Sequence, residues 1–168
     1  MAKLSVVLTG TAGVYYVASQ LAARGFHAAI THGNAPFVDI LVGSLDGTSA
    51  VSLQVKTSSE ALLTKGRGLG KKPDYYHWRV SEGSAPLNHS GLFFAFVDLN
   101  LDEFVNIESE KQALPDVLIV PSSEVHKVLA SASKEGDKGW YWVTPQEWER
   151  RKNDWTPLEA YLAGKVSQ

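Results

Sequence analysis

Three polar residues fall where a strand pair would bring them together. Residues 50–57 read AVSLQVKT, an alternation that turns Val51, Leu53 and Val55 one way and Ser52, Gln54 and Lys56 the other. Gln54 and Lys56 are then neighbours on one face, roughly 6.6 Å apart along the strand. The preceding run, 37–43 (FVDILVG), holds a single charge, Asp39. Asp46-Gly47 lies between the two runs and is a hairpin signal. An antiparallel pairing centred on it sets position 39 opposite position 54. A carboxylate oxygen and an amide oxygen are hard ligands that suit Mg²⁺ or Mn²⁺. A neighbouring ammonium orients water and stabilises negative charge on phosphate. Those are the parts of metal-dependent phosphodiester hydrolysis. An ordinary half-buried strand with a polar outer face shows the same alternation. The acid inside FVDILV separates the two readings, because a carboxylate there needs a partner or a function. Both readings stand at this point.

The segment 65–72 (KGRGLGKK) brings four more basic residues, Lys65, Arg67, Lys71 and Lys72, among three glycines. Such a loop can follow a phosphate backbone or be an ordinary solvated loop. It is no Walker A loop, since its outer glycines are too close and Lys72 precedes a proline. Tyr75, Tyr76 and Trp78, interleaved with His77, read as base-stacking aromatics or as core. The five histidines, 27, 32, 77, 89 and 126, share no metal-ligand spacing and read as surface or loop residues; His32 is the one that could reach the site mouth, and for it too the surface reading is the stronger. Val6–Gly13 (VVLTGTAG) before a helix imitates a dinucleotide-binding turn, but lacks the closely spaced second and third glycines.

The elements that position these residues are legible from periodicity. Val14, Val17, Ala18 and Leu21 mark the buried stripe of a helix over 11–24 with Gly25 as its stop. Strands are expected over 27–31, 37–43 and 50–57, and a short helix over 58–64. Further strands are expected over 78–81, 92–99, 104–107 and 116–120. Ser122 is expected to cap a helix running to about 132, and another helix covers 144–153. Trp140, Trp142, Trp148 and Trp155 are expected to pack a C-terminal extension, about 139–168, against the sheet. The whole, residues 1–168, reads as one α/β domain around a mixed sheet flanked by helices.

Composition sets outer limits. The chain has 168 residues and no Cys, which excludes disulfides, thiolate metal sites and a Cys nucleophile. No apolar stretch approaches the ~20 residues of a spanning helix, so a cytoplasmic protein with no membrane partner is the expectation. The formal net charge of −2 argues against a generic polycation. It hides an asymmetry: residues 1–79 hold eight Lys+Arg against four Asp+Glu, and residues 80–168 hold eight against fourteen. The Asp39–Lys56 region sits in the basic half.

The stretch from Gly10 to Ser58 resembles the PD-(D/E)XK nuclease superfamily, in particular its small bacterial branch related to Holliday-junction resolvases and restriction endonucleases. Ala12-Gly13, Arg24-Gly25, Gly33-Asn34, Val38–Val42 and Gln54–Ser58 carry the resemblance. Phe96–Leu99 and Val120–Ser122 extend it loosely to about position 132. The resemblance implies a restriction-endonuclease-like α-β-β-β-α-β core. It implies Asp39 as metal-binding acid, Gln54 at the Asp/Glu position, Lys56 as motif lysine, and the Val55 carbonyl as a further ligand. It implies Mg²⁺ or Mn²⁺ as cofactor, nucleic acid (DNA first) as substrate, and room for a homodimer. Two departures stand out. Gln54 removes a negative charge, and Val14 stands where many relatives carry a Glu on the first helix. Glu60 is the nearest acid that could substitute. The alternative expectation is therefore a weakened or inactive relative that binds nucleic acid or protein.

Overall fold

The computed structural model describes residues 5–31, 37–63, 74–80, 88–101, 114–131 and 139–164. Helix α1 spans Val6–Ala23, starting earlier than its apolar stripe. Ser5 explains the start: its Oγ accepts from the Leu8 N–H at 3.3 Å and satisfies one of the unpaired amides of the first turn. The helix stops where expected, with Gly25 at φ +84° donating to the Ala22 carbonyl. Because Val6–Gly13 is helical throughout, no strand-turn-helix exists there, and the dinucleotide-turn resemblance is spurious. Among the described residues α1 is the one helix long and apolar enough by composition to cross a membrane, with a mean hydropathy of 1.2, which corrects the expectation that no apolar stretch approaches that length. Its Gly13, Val17 and Leu21 are buried, with Val17 and Leu21 in the core against the sheet.

Among the described residues, eight strands follow the pattern only in part. Five form one sheet in the order β1-β2-β3-β6-β7: β1 is His27–Ile30, β2 Ile40–Gly43, β3 Ala50–Ser58, β6 Leu92–Asp98 and β7 Asp116–Pro121. Only β3 and β6 run parallel, so the sheet is mixed. The β2–β3 register, Ile40 opposite Leu53 to Gly43 opposite Ala50, is the one that Asp46-Gly47 dictates. Asp46 Oδ1 accepts from Ser44 Oγ, Thr48 N–H and Thr48 Oγ1, which together hold its carboxyl below the usual range. A second, antiparallel sheet joins β4 (Leu62–Leu63), β5 (Tyr75–Arg79) and β8 (Trp140–Val143). Helix α2 is Ser122–Ala130, α3 is Pro145–Arg151 and α4 is Thr156–Leu162.

Several expectations need correction. Residues 62–63 form β4 instead of a helix, and the described residues between the parallel strands β3 and β6 include β5 as well. Ser122 is the first residue of α2 and does not cap it; its Oγ accepts from the His89 N–H and donates to the His89 carbonyl. Residues 104–107 lie outside the described residues. The 144–153 helix is shorter, starting at a capping box in which Thr144 and Glu147 exchange side-chain bonds. Strand β8 and helix α4 had no separate signal.

Alternation on β3 divides the core. Val51, Leu53 and Val55 face α1 and α4 in one apolar cluster with Ile40, Val97 and Trp155. The other face of the sheet, through Phe94, Phe96 and Val120, packs on Trp78, Tyr141, Val125 and Trp148 in a second cluster. All seven residues of β6 are buried, as befits a strand covered on both faces. Arg151 grips Glu124 with two bonds of 2.7 and 3.0 Å, and Tyr141 Oη donates to the same carboxylate. That bridge ties α2, α3 and β8 together, and burial pushes the Tyr141 phenol upward. Trp148 and Trp155 enter the cores as expected. Trp142 does not; it is 46% exposed.

Helix α1 lies so close to β3 at Gly13 that a Cβ there would stand 2.9 Å from Thr57 Cβ and nearer still to its Oγ1. Gly13→Ala should therefore cost about 1–3 kcal/mol of stability by overpacking. Gly10→Ala, which meets nothing within 4 Å, should cost none. Urea midpoints compare the two; equal midpoints would contradict this packing.

Candidate functional site

Asp39 sits where β2 leaves the sheet. Its N–H donates to the Leu53 carbonyl at 2.9 Å, and its carbonyl accepts from the Thr31 N–H at 3.0 Å, so the backbone is held between β1 and β3. One step earlier the ladder fails. Phe37 takes φ +71°, a conformation bulky residues rarely adopt, and the Val38 carbonyl accepts from Thr31 Oγ1 at 2.6 Å. In register, Val38 would have paired with Val55. Asp39 takes that place with its side chain: Oδ2 accepts from the Val55 N–H at 2.7 Å. A charge-assisted bond of this kind contributes about 1.5–3 kcal/mol. The N–H and C=O of one strand residue point to the same edge. The Val55 carbonyl therefore lies on the edge that Asp39 occupies.

Gln54 and Lys56 flank Val55 on the opposite face from α1, opposite Phe94 and Phe96 in the parallel register. Gln54 is 6% exposed, and its Oε1 is buried without a hydrogen-bond partner. Leaving an amide oxygen so costs about 1–3 kcal/mol, and few natural buried groups are left that way. Thr57 Oγ1 shares the condition, but it is wedged against Gly13 on the α1 side. Lys56 feels two opposed influences. Burial, the larger, pushes its ammonium below the ordinary lysine value, and the Asp39 charge pulls it back. The Asp39 carboxylate thus reaches β3 at Val55, bound to the main chain between Gln54 and Lys56, and its charge is felt at Lys56.

Other expected participants fall elsewhere. Val14 packs against the α1-side core, and α1 carries no acid. Glu60 is exposed past the end of β3, its carbonyl accepting from Ser58 Oγ at 2.6 Å. Lys65, Arg67, Lys71, Lys72 and His32 lie outside the described residues. Among the described residues no three His, Cys, Asp or Glu side chains gather as a metal-binding group. A cation here would rest on one carboxylate, the orphaned Gln54 oxygen and the Val55 carbonyl.

No motif signals what borders the trio. A groove of about 440 Å³ is lined by Phe37, Leu41, Ser52, His89 and Leu92. Leu41 and Ser52 lie two residues along their strands from Asp39 and Gln54, so the groove opens beside the trio. A larger hollow of about 770 Å³, lined by Arg24, Leu45, Asp46 and Glu159, lies toward the hairpin end of β2–β3; neither hollow is lined by a residue of the trio itself. Comparison of the chain with family models, curated proteins and solved structures finds no match.

The Lys56 shift has a sign that can be measured. Its folded pKa is below the unfolded one, so the unfolded chain holds the proton to higher pH. The cost of the buried charge is fully present below the folded pKa and is relieved as pH rises through it toward 10.5. The unfolding free energy of the wild type, from urea titrations at stepped pH, should rise through this alkaline window relative to Lys56→Met. Parallel curves for the two proteins would contradict a desolvated lysine.

Proposed function

We propose that the chain is a divalent-metal-dependent phosphodiesterase acting on nucleic acid, with DNA as the first substrate and a restriction-endonuclease-like core. The observation that carries this reading is the buried, unpartnered Gln54 Oε1 beside the Asp39 carboxylate, the Val55 main chain and the half-buried Lys56. A buried amide oxygen without a protein partner is a hard donor suited to a cation, and the carboxylate fixed at the neighbouring Val55 N–H supplies negative charge. The order α1-β1-β2-β3, with β6 parallel to β3, supports the fold reading.

Asp39, Gln54 and the Val55 carbonyl would hold Mg²⁺ or Mn²⁺. The ion would supply Lewis-acid polarisation of the phosphodiester and a more acidic attacking water. The residues themselves contribute position and charge. The Val55 N–H fixes one oxygen of Asp39. Lys56, kept from full solvation, presents a donor and a positive charge to the developing negative charge on phosphate. The groove at Phe37 and His89 offers an apolar wall for the part of the substrate next to the scissile bond.

A second reading has its own observation. With Asp39 as the one carboxylate of the trio and Val14 packed on the α1-side core, an ion there would be held weakly, which fits a weakened relative that binds nucleic acid without cutting it.

The test is incubation with single-stranded, double-stranded and branched DNA and with RNA, in Mg²⁺ and in Mn²⁺. Cleavage should require the metal and fall at least ~100-fold in Asp39→Ala and in Lys56→Ala. Cleavage that ignores both substitutions, or none on any substrate, would end the enzyme reading; binding that survives in both variants would then favour the second. A homodimer, the assembly that suits cutting two strands, would appear in sedimentation as twice the chain mass.

A further inference from the structure

Among the described residues, the β4–β5–β8 sheet has a face that neither core cluster uses. Tyr76, Trp78, Tyr141 and Val143 turn inward to the second core cluster. Alternation sends Tyr75, His77, Arg79, Trp140 and Trp142 the other way. Pairing places His77 opposite Trp142, Arg79 opposite Trp140 and Tyr75 opposite Leu63. Trp142 is 46% exposed. Arg79 is exposed too, while Tyr75, His77 and Trp140 are half-buried.

These side chains form a connected surface. The His77 ring meets Tyr75 edge-on at 5.7 Å and Trp140 at 5.0 Å. The Arg79 guanidinium stands 5.4 Å from the Trp140 ring centroid. His77 Nδ1 lies 3.0 Å from the Ala61 carbonyl, which anchors its ring to the sheet. Cross-strand aromatic pairs stabilise any sheet, but that role needs no large ring open to water. A water-facing strand surface is ordinarily polar. This one is aromatic and cationic, with no acid among its six residues.

We infer that this face binds single-stranded DNA by stacking unpaired bases on Trp142, Trp140 and His77, with Arg79 meeting the backbone phosphates. Ring faces accept any unpaired base, and a guanidinium beside them supplies charge complementarity and cation–π contact. Stacking on ring faces needs no ribose 2′-hydroxyl, and the strand this face takes is the DNA of the function proposed above. As a binding surface it stands apart from the Asp39 trio. As a statement that the cleaved substrate carries an unpaired strand, it rests on the function proposed above.

The test uses the full chain in EDTA, so that cleavage plays no part. Fluorescence anisotropy follows a labelled oligothymidine of about 12 nucleotides, with blunt duplex DNA and oligouridine as competitors. The wild type should prefer the single-stranded DNA to both. Trp142→Ala and Arg79→Ala should each weaken binding by about tenfold. Trp142→Phe should keep most of it, and Tyr15→Ala, an exposed aromatic on α1, should leave it unchanged. Thermal melts confirm that the variants fold, and loss of binding in a folded Trp142→Ala with retention in Trp142→Phe supports the proposal. Wild-type binding by Trp142→Ala and Arg79→Ala, equal affinity for duplex, or preference for oligouridine would overturn it. Oligothymidine binding without cleavage of any substrate would sink the phosphodiesterase reading alone. Cleavage intact with Trp142→Ala binding as wild type would sink this one alone.

Discussion

The bond from the Val55 N–H to Asp39 Oδ2, 2.7 Å long, governs the geometry of the candidate site. It forms where β2 gives up its ladder with β3. A normal ladder would have used a backbone carbonyl there, leaving no charged group beside Gln54 and Lys56. The left-handed turn at Phe37 and the capture of the Val38 carbonyl by Thr31 make the break. The carboxylate fills the gap and becomes fixed to the edge of the central sheet. Strain at Phe37 is thus local to the place where chemistry is proposed, a common association.

Strand β3 can bear such a site because it is buttressed on both faces. Its α1 side is apolar and tight enough that Gly13 has no room for a side chain beside Thr57. Its other side begins as core at Phe94 and Phe96, and Gln54 and Lys56 stand at the margin of that core. The margin desolvates Lys56 without sealing it. It also leaves the Gln54 oxygen with no protein partner, a cost that a purely structural strand has no reason to carry.

Much of this was readable from residues alone. The alternation of AVSLQVKT, the Asp46-Gly47 turn and the lone acid in FVDILV predicted the register that sets Asp39 against the Gln54–Lys56 stretch of β3, because period and turn type determine register in a hairpin. The detail of that meeting was not readable. A side chain replacing a ladder bond depends on the backbone turning at Phe37, and a phenylalanine gives no warning of positive φ. The second sheet escaped for another reason. β4 is two residues long, and the pairing of β5 with β8 spans more than sixty positions, a distance that local pattern cannot bridge. The aromatics at 75–78 were visible as a group, but only the pairing with β8 divides them into an inner and an outer set. The early start of α1 follows from Ser5, a cap lying beyond the apolar stripe that signalled the helix.

The central claim is that Asp39 and Gln54 form a cation site, and metal affinity without any nucleic acid tests it most directly. Titration of Mn²⁺ into metal-free protein, followed by calorimetry, should give one site per chain. Asp39→Ala should abolish it, and Gln54→Glu, which adds a carboxylate to the proposed ligand set, should tighten it by about tenfold or more. Binding that is absent from the wild type and from Gln54→Glu alike, or that persists unchanged in Asp39→Ala, would contradict the account.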